Sequence, residues 1–291
     1  HAQQTGNTMV QLEQYMVESQ PHVLLVYGDT NTTLAGALVA SKLHIPVVHV
    51  EAGLRSFNRQ MPEELNRIIT DRLSERLYTI TPHSMSCLKA EGLDKQALVV
   101  GDVMYDAALS FADKAKDQAL LIEGAFALVT LHRAENVDKP ERLKGYLSAL
   151  DQLAKQQELR LLFPMHPRVK AVLEAQGIDL KVSSSFVVEQ PLSYLSTLKH
   201  ISAAQWVATD SGGLQKEAFF AQKPVCILRS ETEWVEMVES NSACLLSPNF
   251  NVEETQNWLA RHTASDPSPW FGQGNAAQTI LEDLIKQFAP S

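Results

Sequence analysis

Residues 22–53, HVLLVYGDTNTTLAGALVASKLHIPVVHVEAG, decide the fold class of this chain. They contain two continuous apolar runs, VLLVY and PVVHV, in which apolar and polar residues do not alternate. Such runs are typical of strands that are covered on both faces of a parallel sheet. Asp29 and Thr30 end the first run and are suitable caps for a helix over residues 33–43. The order of strand, helix and strand therefore predicts a parallel α/β fold.

The same alternation of strands and helices continues along the rest of the chain, in two series. Further strands are predicted at 77–80, 97–100, 126–131, 159–163, 206–208 and 225–228. We therefore predict an α/β protein with two Rossmann-like domains that have parallel sheets, at residues 1–110 and 123–272. Residues 273–291 contain a predicted helix that can cross back to the first domain. Two such domains in succession predict a ligand cleft between them.

The composition and net charge argue against some classes of binding partner. The chain has 291 residues, of which 45% are hydrophobic and 20% are charged, as in ordinary soluble globular proteins. The net charge of -9 argues against binding to nucleic acid and to acidic membranes. No apolar run reaches the length of a membrane-spanning helix. The three cysteines, Cys87, Cys226 and Cys244, lack the spacing of a metal site and are typical of reduced thiols in a cytoplasmic protein.

Three acidic residues stand close to the ends of the first strands. Asp29 and Glu51 close the two apolar runs, and Glu63 lies in the loop that follows. Carboxylates that converge at one sheet edge raise one another's pKa, which leaves one acid beside one base, as proton transfer requires. In the alternative, Glu51 forms a structural ion pair with Arg55. Glu63 would then pair in the same way with Arg67, and the spacing alone leaves both alternatives open.

A second candidate site is the sequence TDSGG at 209–213, which follows a predicted strand and opens a helix. Glycines allow close approach of the backbone, and a helix start offers free N–H groups and the positive end of its dipole to a phosphate. In the alternative, this is an ordinary turn that Asp210 or Ser211 caps. Glu217, one turn into the helix, can accept hydrogen bonds from two ribose hydroxyls, or it can be a solvated helix residue.

Polar or basic residues also end other predicted strands of the second domain. His132 and Arg133 follow one strand, His166 follows the next, and Arg229 ends another. A histidine can donate to a phosphate oxygen and, when protonated, can neutralise its charge. Each of these residues alone can be a simple turn residue, but together they favour an anion site at this sheet edge.

Five ordered motifs resemble those of the non-hydrolysing UDP-N-acetylglucosamine 2-epimerases over nearly the whole chain. They are YGDT at 27–30, HVEAGLR at 49–55, MPEELNR at 61–67, LHRAEN at 131–136 and TDSGGLQKE at 209–217. The resemblance implies the glycosyltransferase-B architecture, with UDP held mainly by the second domain. It also implies a UDP-sugar as substrate, a cytoplasmic homodimer, no metal or nicotinamide cofactor, and no binding to nucleic acid or membrane.

The resemblance further implies a reaction and the residues that perform it. A base removes the proton at C2 of the sugar and UDP leaves from C1, which gives a 2-acetamidoglucal intermediate. UDP then adds back while C2 is reprotonated on the opposite face, so that UDP-N-acetylglucosamine becomes UDP-N-acetylmannosamine. The implied catalytic residues are Asp29, Glu51, Glu63 and His132, the last of which would stabilise the departing diphosphate. The implied UDP-binding residues are Arg133, Ser211, Gly212, Gly213, Glu217 and Arg229.

Two features depart from the common family pattern. Trp234 stands in TEWVE at 232–236 where the family has an arginine, and Lys216 precedes Glu217. This variant resembles a branch that epimerises UDP-2,3-diacetamido-2,3-dideoxyglucuronate, which is the alternative substrate. The family's N-terminal strand and its basic loop are absent from the sequence. We therefore expect an N-terminally truncated chain with an incomplete first domain, and a poor or inactive catalyst.

Two other kinds of function remain open from the sequence. A glycosyltransferase-B-type transferase would share the fold and the UDP site, so the fold does not decide between the two enzymes. The ordered carboxylate motifs favour the epimerase. A catalytically impaired UDP-sugar-binding fragment would retain affinity for UDP without epimerisation.

Overall fold

The computed structural model describes residues 2–178, 180, 185–262 and 264–289, which form two compact units. The first unit contains residues 1–106 and 268–291, and the second contains residues 107–267. In the described part of the chain, the strands form one sheet of four and one of six, and all neighbouring strands are parallel. The prediction of an α/β fold with two parallel sheets is confirmed.

The bounds of the elements follow in chain order. The strands are β1 (Leu24–Tyr27), β2 (Val47–Ala52), β3 (Arg76–Thr79), β4 (Ala97–Val99), β5 (Phe126–Thr130), β6 (Arg160–Pro164), β7 (Phe186–Glu189), β8 (Val207–Thr209), β9 (Val225–Ile227) and β10 (Ala243–Leu245). The helices are α1 (Ala2–Ser19), α2 (Asn31–Lys42), α3 (Pro62–Leu73), α4 (Pro82–Ala90), α5 (Val103–Lys116), α6 (Ala134–Val137), α7 (Pro140–Gln156), α8 (Pro167–Ala175), α9 (Tyr194–Ala203), α10 (Gly212–Phe220), α11 (Val235–Glu239), α12 (Val252–Arg261), α13 (Ser268–Phe271) and α14 (Ala276–Phe288).

Helices of the first unit begin where the sequence supplies caps just after the strands. The side chain of Thr30 accepts a hydrogen bond from the Thr33 backbone N–H at the start of α2. Thr81 and Ser84 form a capping box at the start of α4. Pro62 occupies the first turn of α3, where a missing N–H costs nothing. These caps fix how each turn leaves the carboxyl edge of the sheet, whose strands lie in the order β1-β2-β3-β4.

The C-terminal helix α14 packs on the first sheet. Ile280 is buried in a cluster with Val50 and other residues of that sheet. Arg76 donates to both carboxylate oxygens of Asp283 at 2.7 and 2.9 Å, and the Tyr78 hydroxyl donates to the same group at 2.8 Å. Burial and this carboxylate raise the pKa of the Tyr78 phenol. The C-terminal residues therefore supply both apolar and ionic contacts to the first unit.

The second unit has a doubly wound sheet with the strand order β10-β9-β8-β5-β6-β7. The chain begins in the middle at β5, adds β6 and β7 on one side, and then returns to place β8 against the other side of β5. The carboxyl ends of β5 and β8 therefore form a topological switch point. In open α/β sheets this is where the connections diverge and leave a crevice for a ligand.

Helix α7 closes one face of the second sheet with an apolar stripe. Leu143, Leu147, Leu150 and Leu153 recur at helical spacing and are buried in the core of the unit. The hydroxyl of Tyr146, which is also buried, donates to the Leu246 carbonyl oxygen at 2.9 Å. Burial raises the pKa of Tyr146 to about 12, so the phenol stays a donor across the physiological pH range.

The sequence did not predict two strands of the second sheet, β7 and β10. Strand β10 has only three residues, and strand β7 has four and is flanked by serines and a proline. Length alone does not explain this difference, because β4, β8 and β9 also have three residues and were predicted. Both are outer strands of the sheet. Strand β7 pairs in parallel with β6, and β10 pairs in parallel with β9.

The first unit is closed by a contact between Gly101 and helix α13. Asp102 donates its backbone N–H to the Phe271 carbonyl oxygen at 2.9 Å, so residues 268–272 belong with the first unit, whereas the sequence placed them in the second domain. Gly101 has φ 89°, and a Cβ atom there would lie 2.7 Å from that same carbonyl oxygen. Glycine is thus required both for the backbone conformation and for the close approach.

We expect Gly101→Ala to lower the free energy of unfolding by about 3 kcal/mol, from a left-handed backbone and an overlap with Phe271. Gly92→Ala is the matched control, because Gly92 has φ 74° but no atom within 4 Å of the added methyl group. In this control variant the free energy of unfolding should fall by only about 1 kcal/mol. The thermal unfolding midpoints of the two variants test the difference, and equal midpoints would show that the Gly101 contact contributes nothing.

Candidate functional site

The first unit brings its predicted acidic residues to the carboxyl edge of the sheet. Asp29 follows β1, and the carboxylate Oε2 of Glu51 on β2 lies 3.4 Å from the Cβ position at the neighbouring Gly28. Glu63 is exposed in the first turn of α3. It shares a helix face with Asn66 and Arg67, which both bind Asp29. The edge therefore presents Asp29, Glu51 and the face of α3 that carries Glu63.

Glu51 has a backbone conformation that is rare for a residue with a side chain. Its φ is 71°, in the left-handed region, and the register of β2 with β3 shifts between Val50 and Ala52. The extra residue of this bulge turns the Glu51 side chain away from the regular alternation of the strand. Such strain persists only where surrounding contacts enforce it, and it is concentrated at functional sites.

The structural ion pairs proposed as an alternative for the two glutamates are not the ones observed. Arg55 binds Asp71 and Glu91, each at 2.7 Å. Arg67 binds Asp29 at 2.6 Å and the neighbour of Glu63, Glu64, at 3.1 Å. The two arginines named in that alternative therefore bind other carboxylates, and one of them, Arg67, fixes the carboxylate of Asp29.

Glu64 supports the loop that leads into α3. It is 1% exposed and accepts hydrogen bonds from the backbone N–H groups of Ser56 and Phe57, both at 2.9 Å. It also accepts from Ser56 Oγ and from the guanidinium of Arg67. Nothing in the sequence pattern separates the adjacent Glu63 and Glu64. The structure gives the first an exposed position at the edge and the second a buried position in the loop.

A buried charged network lies beneath the acidic edge. His49 contacts Asp71 through Nδ1 at 2.7 Å and the Gly28 carbonyl oxygen through Nε2 at 2.8 Å. Burial alone would raise the pKa of the Asp71 carboxyl, but the hydrogen bonds and charges of His49 and Arg55 lower it below its ordinary value. Asp71 therefore remains a buried carboxylate. Sequence reasoning missed it, because Asp71 lies inside a helix and follows no strand.

In the second unit, Asp210 organises the switch point. It is fully buried and accepts hydrogen bonds from the backbone N–H groups of His132 and Arg133, at 3.1 and 2.9 Å, and from Asn136 Nδ2 at 3.1 Å. The His132 ring nitrogen Nδ1 lies 3.3 Å from its Oδ1. Asp210 thus fixes the turn after β5 from its place at the end of β8. It does not cap α10, whose cap is Ser211.

The amino terminus of α10 forms an open cradle, defined here as Ser211, Gly212, Gly213 and the side chain of Arg133. Ser211 accepts from the Leu214 backbone N–H, and the two glycines begin the helix. A Cβ atom at Gly212 would lie 3.6 Å from Trp234 Nε1 and 3.9 Å from Arg133 Nη2. Free N–H groups, the helix dipole and a guanidinium thus meet at one point, which is suited to an anion.

A pocket of about 200 Å³ opens beside this cradle. Its lining includes Thr130, His132, His166 and Ser211 as polar groups and Leu128, Leu131, Pro164, Pro191, Leu192 and Leu214 as apolar ones. The rings of His132 and His166 lie 5.9 Å apart, and the side chain of His132 is 42% exposed. An apolar pocket next to an anion site fits a ligand that joins a flat ring to a phosphate.

Two residues predicted to bind the ligand are more buried than the cradle. The guanidinium of Arg229 is 2% exposed and donates to Glu233 at 2.9 and 3.2 Å, so its terminal nitrogens bind a carboxylate of the protein. Glu217 is 8% exposed on α10 and, after burial, is the second cause of the raised pKa of Tyr194. Lys216, also buried, lies 4.3 Å from the centre of the Trp234 ring.

The described part of the chain shows neither a metal centre nor a membrane-spanning helix. Among the described residues, no group of three or more His, Cys, Asp or Glu side chains is arranged to hold a metal ion. No helix in that part of the chain has the length and apolar character that crossing a membrane requires.

Sequence comparison relates the chain to enzymes that act on UDP-sugars. The sequence signature of the UDP-N-acetylglucosamine 2-epimerase family matches residues 1–285. The UDP-2,3-diacetamido-2,3-dideoxy-D-glucuronate 2-epimerase of Pseudomonas aeruginosa is 43% identical over 98% of this chain and 81% of its own length. The UDP-N-acetylglucosamine 2-epimerase of Methanocaldococcus jannaschii is 40% identical, with the same coverage of 98% and 81%.

Solved structures give the same relation. The UDP-N-acetylglucosamine 2-epimerase of M. jannaschii in complex with UDP-GlcNAc and UDP has a TM-score of 0.89 at 36% identity, covering 98% of this chain and 82% of that one. The Neisseria meningitidis enzyme bound to UDP-GlcNAc has a TM-score of 0.87 at 30% identity, covering 97% and 81%. The predicted glycosyltransferase-B-like fold and the predicted family are confirmed.

The adjacent Glu63 and Glu64 give a matched test of the site geometry. We expect Glu64→Gln to lower the free energy of unfolding by about 2 kcal/mol, because an amide has one acceptor oxygen for the loop and removes the charge beside Arg67. Glu63→Gln, at an exposed position, should change it by less than about 0.5 kcal/mol. Thermal unfolding measures both, and equal stability of the two variants would contradict the buried role of Glu64.

Proposed function

The chain belongs to the UDP-N-acetylglucosamine 2-epimerase family, and from that membership we propose that it epimerises C2 of a UDP-2-acetamido sugar. The proposed reaction converts UDP-N-acetylglucosamine to UDP-N-acetylmannosamine. The observation that supports it most directly is the acidic edge of the first unit, where Glu51 stands on a strained bulge beside Gly28 and Asp29. Several carboxylates at one edge suit a reaction that moves a proton on and off both faces of one carbon.

The reaction balances without any change of oxidation state. A carboxylate removes the C2 proton, its electron pair forms the C1–C2 double bond, and the C1–O bond breaks to release UDP. The 2-acetamidoglucal then receives a proton at C2 on the opposite face while the UDP oxygen reforms its bond to C1. Two faces require two proton carriers, and the candidates are Asp29, Glu51 and Glu63. The guanidinium of Arg67 fixes Asp29 in position, whereas Glu63 is exposed.

We assign diphosphate binding to the cradle at the start of α10. The backbone N–H groups of Gly212 and Gly213 and the hydroxyl of Ser211 would donate to phosphate oxygens, and Arg133 would add a charge-assisted hydrogen bond. His132, at the mouth of the pocket, would stabilise the negative charge that develops on the departing diphosphate. Glu217 would accept from the ribose hydroxyls. Arg229 would act through its buried pair with Glu233, which shapes the segment next to Trp234.

The diacetamido uronate is the second candidate for the sugar. The 43% identity to the P. aeruginosa enzyme favours it, since its own substrate by name is that sugar nucleotide. The M. jannaschii enzyme, at 40% identity, favours UDP-N-acetylglucosamine.

Association as a homodimer and a cytoplasmic location, which the family resemblance implies, both stay predictions. Light scattering of the purified chain at several concentrations tests the first, and fractionation of the cells that make it tests the second.

The proposed reaction predicts that the chain incorporates deuterium at C2 of its substrate in D2O. Each of the two UDP-sugars is incubated with the enzyme and followed by NMR, and the sugar that exchanges faster is the substrate. Glu63→Gln, which should fold normally, is expected to slow the exchange at least 100-fold through loss of a proton carrier, within the roughly 10²–10⁴-fold range of acid–base catalysis.

The outcomes of this experiment separate the alternatives. Deuterium in neither sugar contradicts the proposed reaction. Transfer of the sugar to an acceptor without exchange at C2 indicates a transferase of the same fold. Exchange at the wild-type rate in Glu63→Gln removes Glu63 from the proton carriers and leaves the reaction assigned to the other carboxylates.

The cradle predicts that Arg133→Met weakens UDP binding by about tenfold, since one charge-assisted hydrogen bond is worth roughly 1.5 kcal/mol. Arg168→Met is the matched control, because Arg168 lies in the same unit and pairs with Asp138 on the surface. This control should leave the affinity unchanged. Titration calorimetry with UDP measures both variants, and equal affinities would remove Arg133 from the site.

A further inference from the structure

We propose that Asp71 and His49 are positioning residues that clamp the strand on both sides of Glu51. This inference deepens the proposed epimerase function and rests on it, since Glu51 is one of the proposed proton carriers. His49 lies two residues before Glu51 and Gly53 lies two residues after it. Both bind the one carboxylate of Asp71, which reaches them from helix α3.

The His49 side of the clamp also fixes the neighbouring strand. Its Nδ1 atom lies 2.7 Å from Asp71 Oδ1, and its Nε2 atom lies 2.8 Å from the Gly28 carbonyl oxygen. An acceptor faces each ring nitrogen, so the ring is held from both ends and has no freedom to rotate. Gly28 is bound again through its backbone N–H, which donates to the Val50 carbonyl oxygen at 3.1 Å.

The Gly53 side fixes the end of the bulge. The Gly53 backbone N–H donates to Asp71 Oδ2 at 3.2 Å, and the guanidinium of Arg55 lies 2.7 Å from the same oxygen. Gly53 itself has φ 80°, and a Cβ atom there would lie 2.5 Å from the Ser84 carbonyl oxygen. The segment from His49 to Arg55 is therefore held at three points by one carboxylate, while Glu51 between them has the strained φ of 71°.

The clamp also holds Gly28, the residue next to the Glu51 carboxylate. The Cβ position at Gly28 lies 3.4 Å from Glu51 Oε2, so Gly28 is where the Glu51 side chain rests. His49 holds the carbonyl group of that same residue. The clamp thus sets both the backbone that bears Glu51 and the surface against which its carboxylate lies.

Stability alone does not account for so many buried charges. The side chains of His49 and Asp71 are both 0% exposed, and that of Arg55 is 1% exposed. Replacement of a buried ion network by apolar residues of similar volume is often neutral or stabilising. What an apolar cluster does not supply is a fixed direction for each hydrogen bond, and this direction is what a catalytic carboxylate requires.

The first test compares Asp71→Asn with Asp283→Asn. Asp283 is the matched control, because it is also a carboxylate of the first unit that binds an arginine, and its hydrogen bonds come from Arg76 and Tyr78. We expect kcat of Asp71→Asn to fall about 100-fold with KM changed less than about threefold, as a displacement of about 1 Å predicts. The control should keep its kcat. If Asp71→Asn keeps its kcat while its melting temperature falls like that of the control, the clamp is overturned.

The second test remains informative where Asp71→Asn does not fold. His49→Gln places an amide N–H close to the position of Nε2 and can still donate to Gly28, whereas His49→Leu has no donor. We expect His49→Gln to retain at least about ten times the kcat of His49→Leu. Equal kcat values for these two variants would overturn the role of His49.

A structural readout keeps the inference separate from the reaction itself. In a crystal structure of His49→Leu or Asp71→Asn, we expect Glu51 to leave the left-handed region or its carboxylate to move away from Gly28 by about 1 Å. An unchanged backbone over residues 49–53 would overturn the clamp. If the wild-type protein shows no exchange at C2, the proposed function fails, and this structural comparison still decides whether the clamp exists.

Discussion

In each unit a buried aspartate satisfies the turn that follows a central strand. The backbone N–H groups that leave a parallel sheet have no further strand to bind, and a buried unsatisfied group is costly. Asp71 accepts from Gly53 after β2 in the first unit, and Asp210 accepts from His132 and Arg133 after β5 in the second. Neither aspartate faces the open edge. Each fixes, from behind, the residues that do.

Much of the fold was predictable because it rests on local patterns. Continuous apolar runs that end at Asp29 and Glu51, with cap residues after them, require no knowledge of tertiary contacts. Strands β7 and β10 were not predicted, and their pairing with β6 and β9 is a tertiary contact that the local pattern does not contain. Residues 268–272, placed in the second domain from the sequence, group with the first unit, because the contact of α13 with Gly101 joins residues that are far apart in sequence.

The residues of the candidate site also differ in whether the sequence could predict them. Residues at strand ends, such as Glu51 and Ser211, could be named from the sequence, since parallel strands share one functional edge. The residues that hold them in position could not be named from the sequence. Asp71 lies in the last turn of α3 and follows no strand, Glu64 is next to a residue of the same type, and Arg229 binds Glu233 inside the protein. Whether a charged side chain faces a ligand or another side chain depends on tertiary contacts that spacing does not encode.

The two glutamates in the first turn of α3 constrain the length of the loop that precedes the helix. Glu64 is anchored to the backbone of Ser56 and Phe57, and Glu63 is exposed one position earlier. Successive residues of an α-helix are separated by about 100° around its axis. Insertion or deletion of one residue in the loop would rotate the helix register, so that a different side chain met the anchor and Glu63 left the acidic edge. Substitutions in this loop should therefore be tolerated much better than changes in its length.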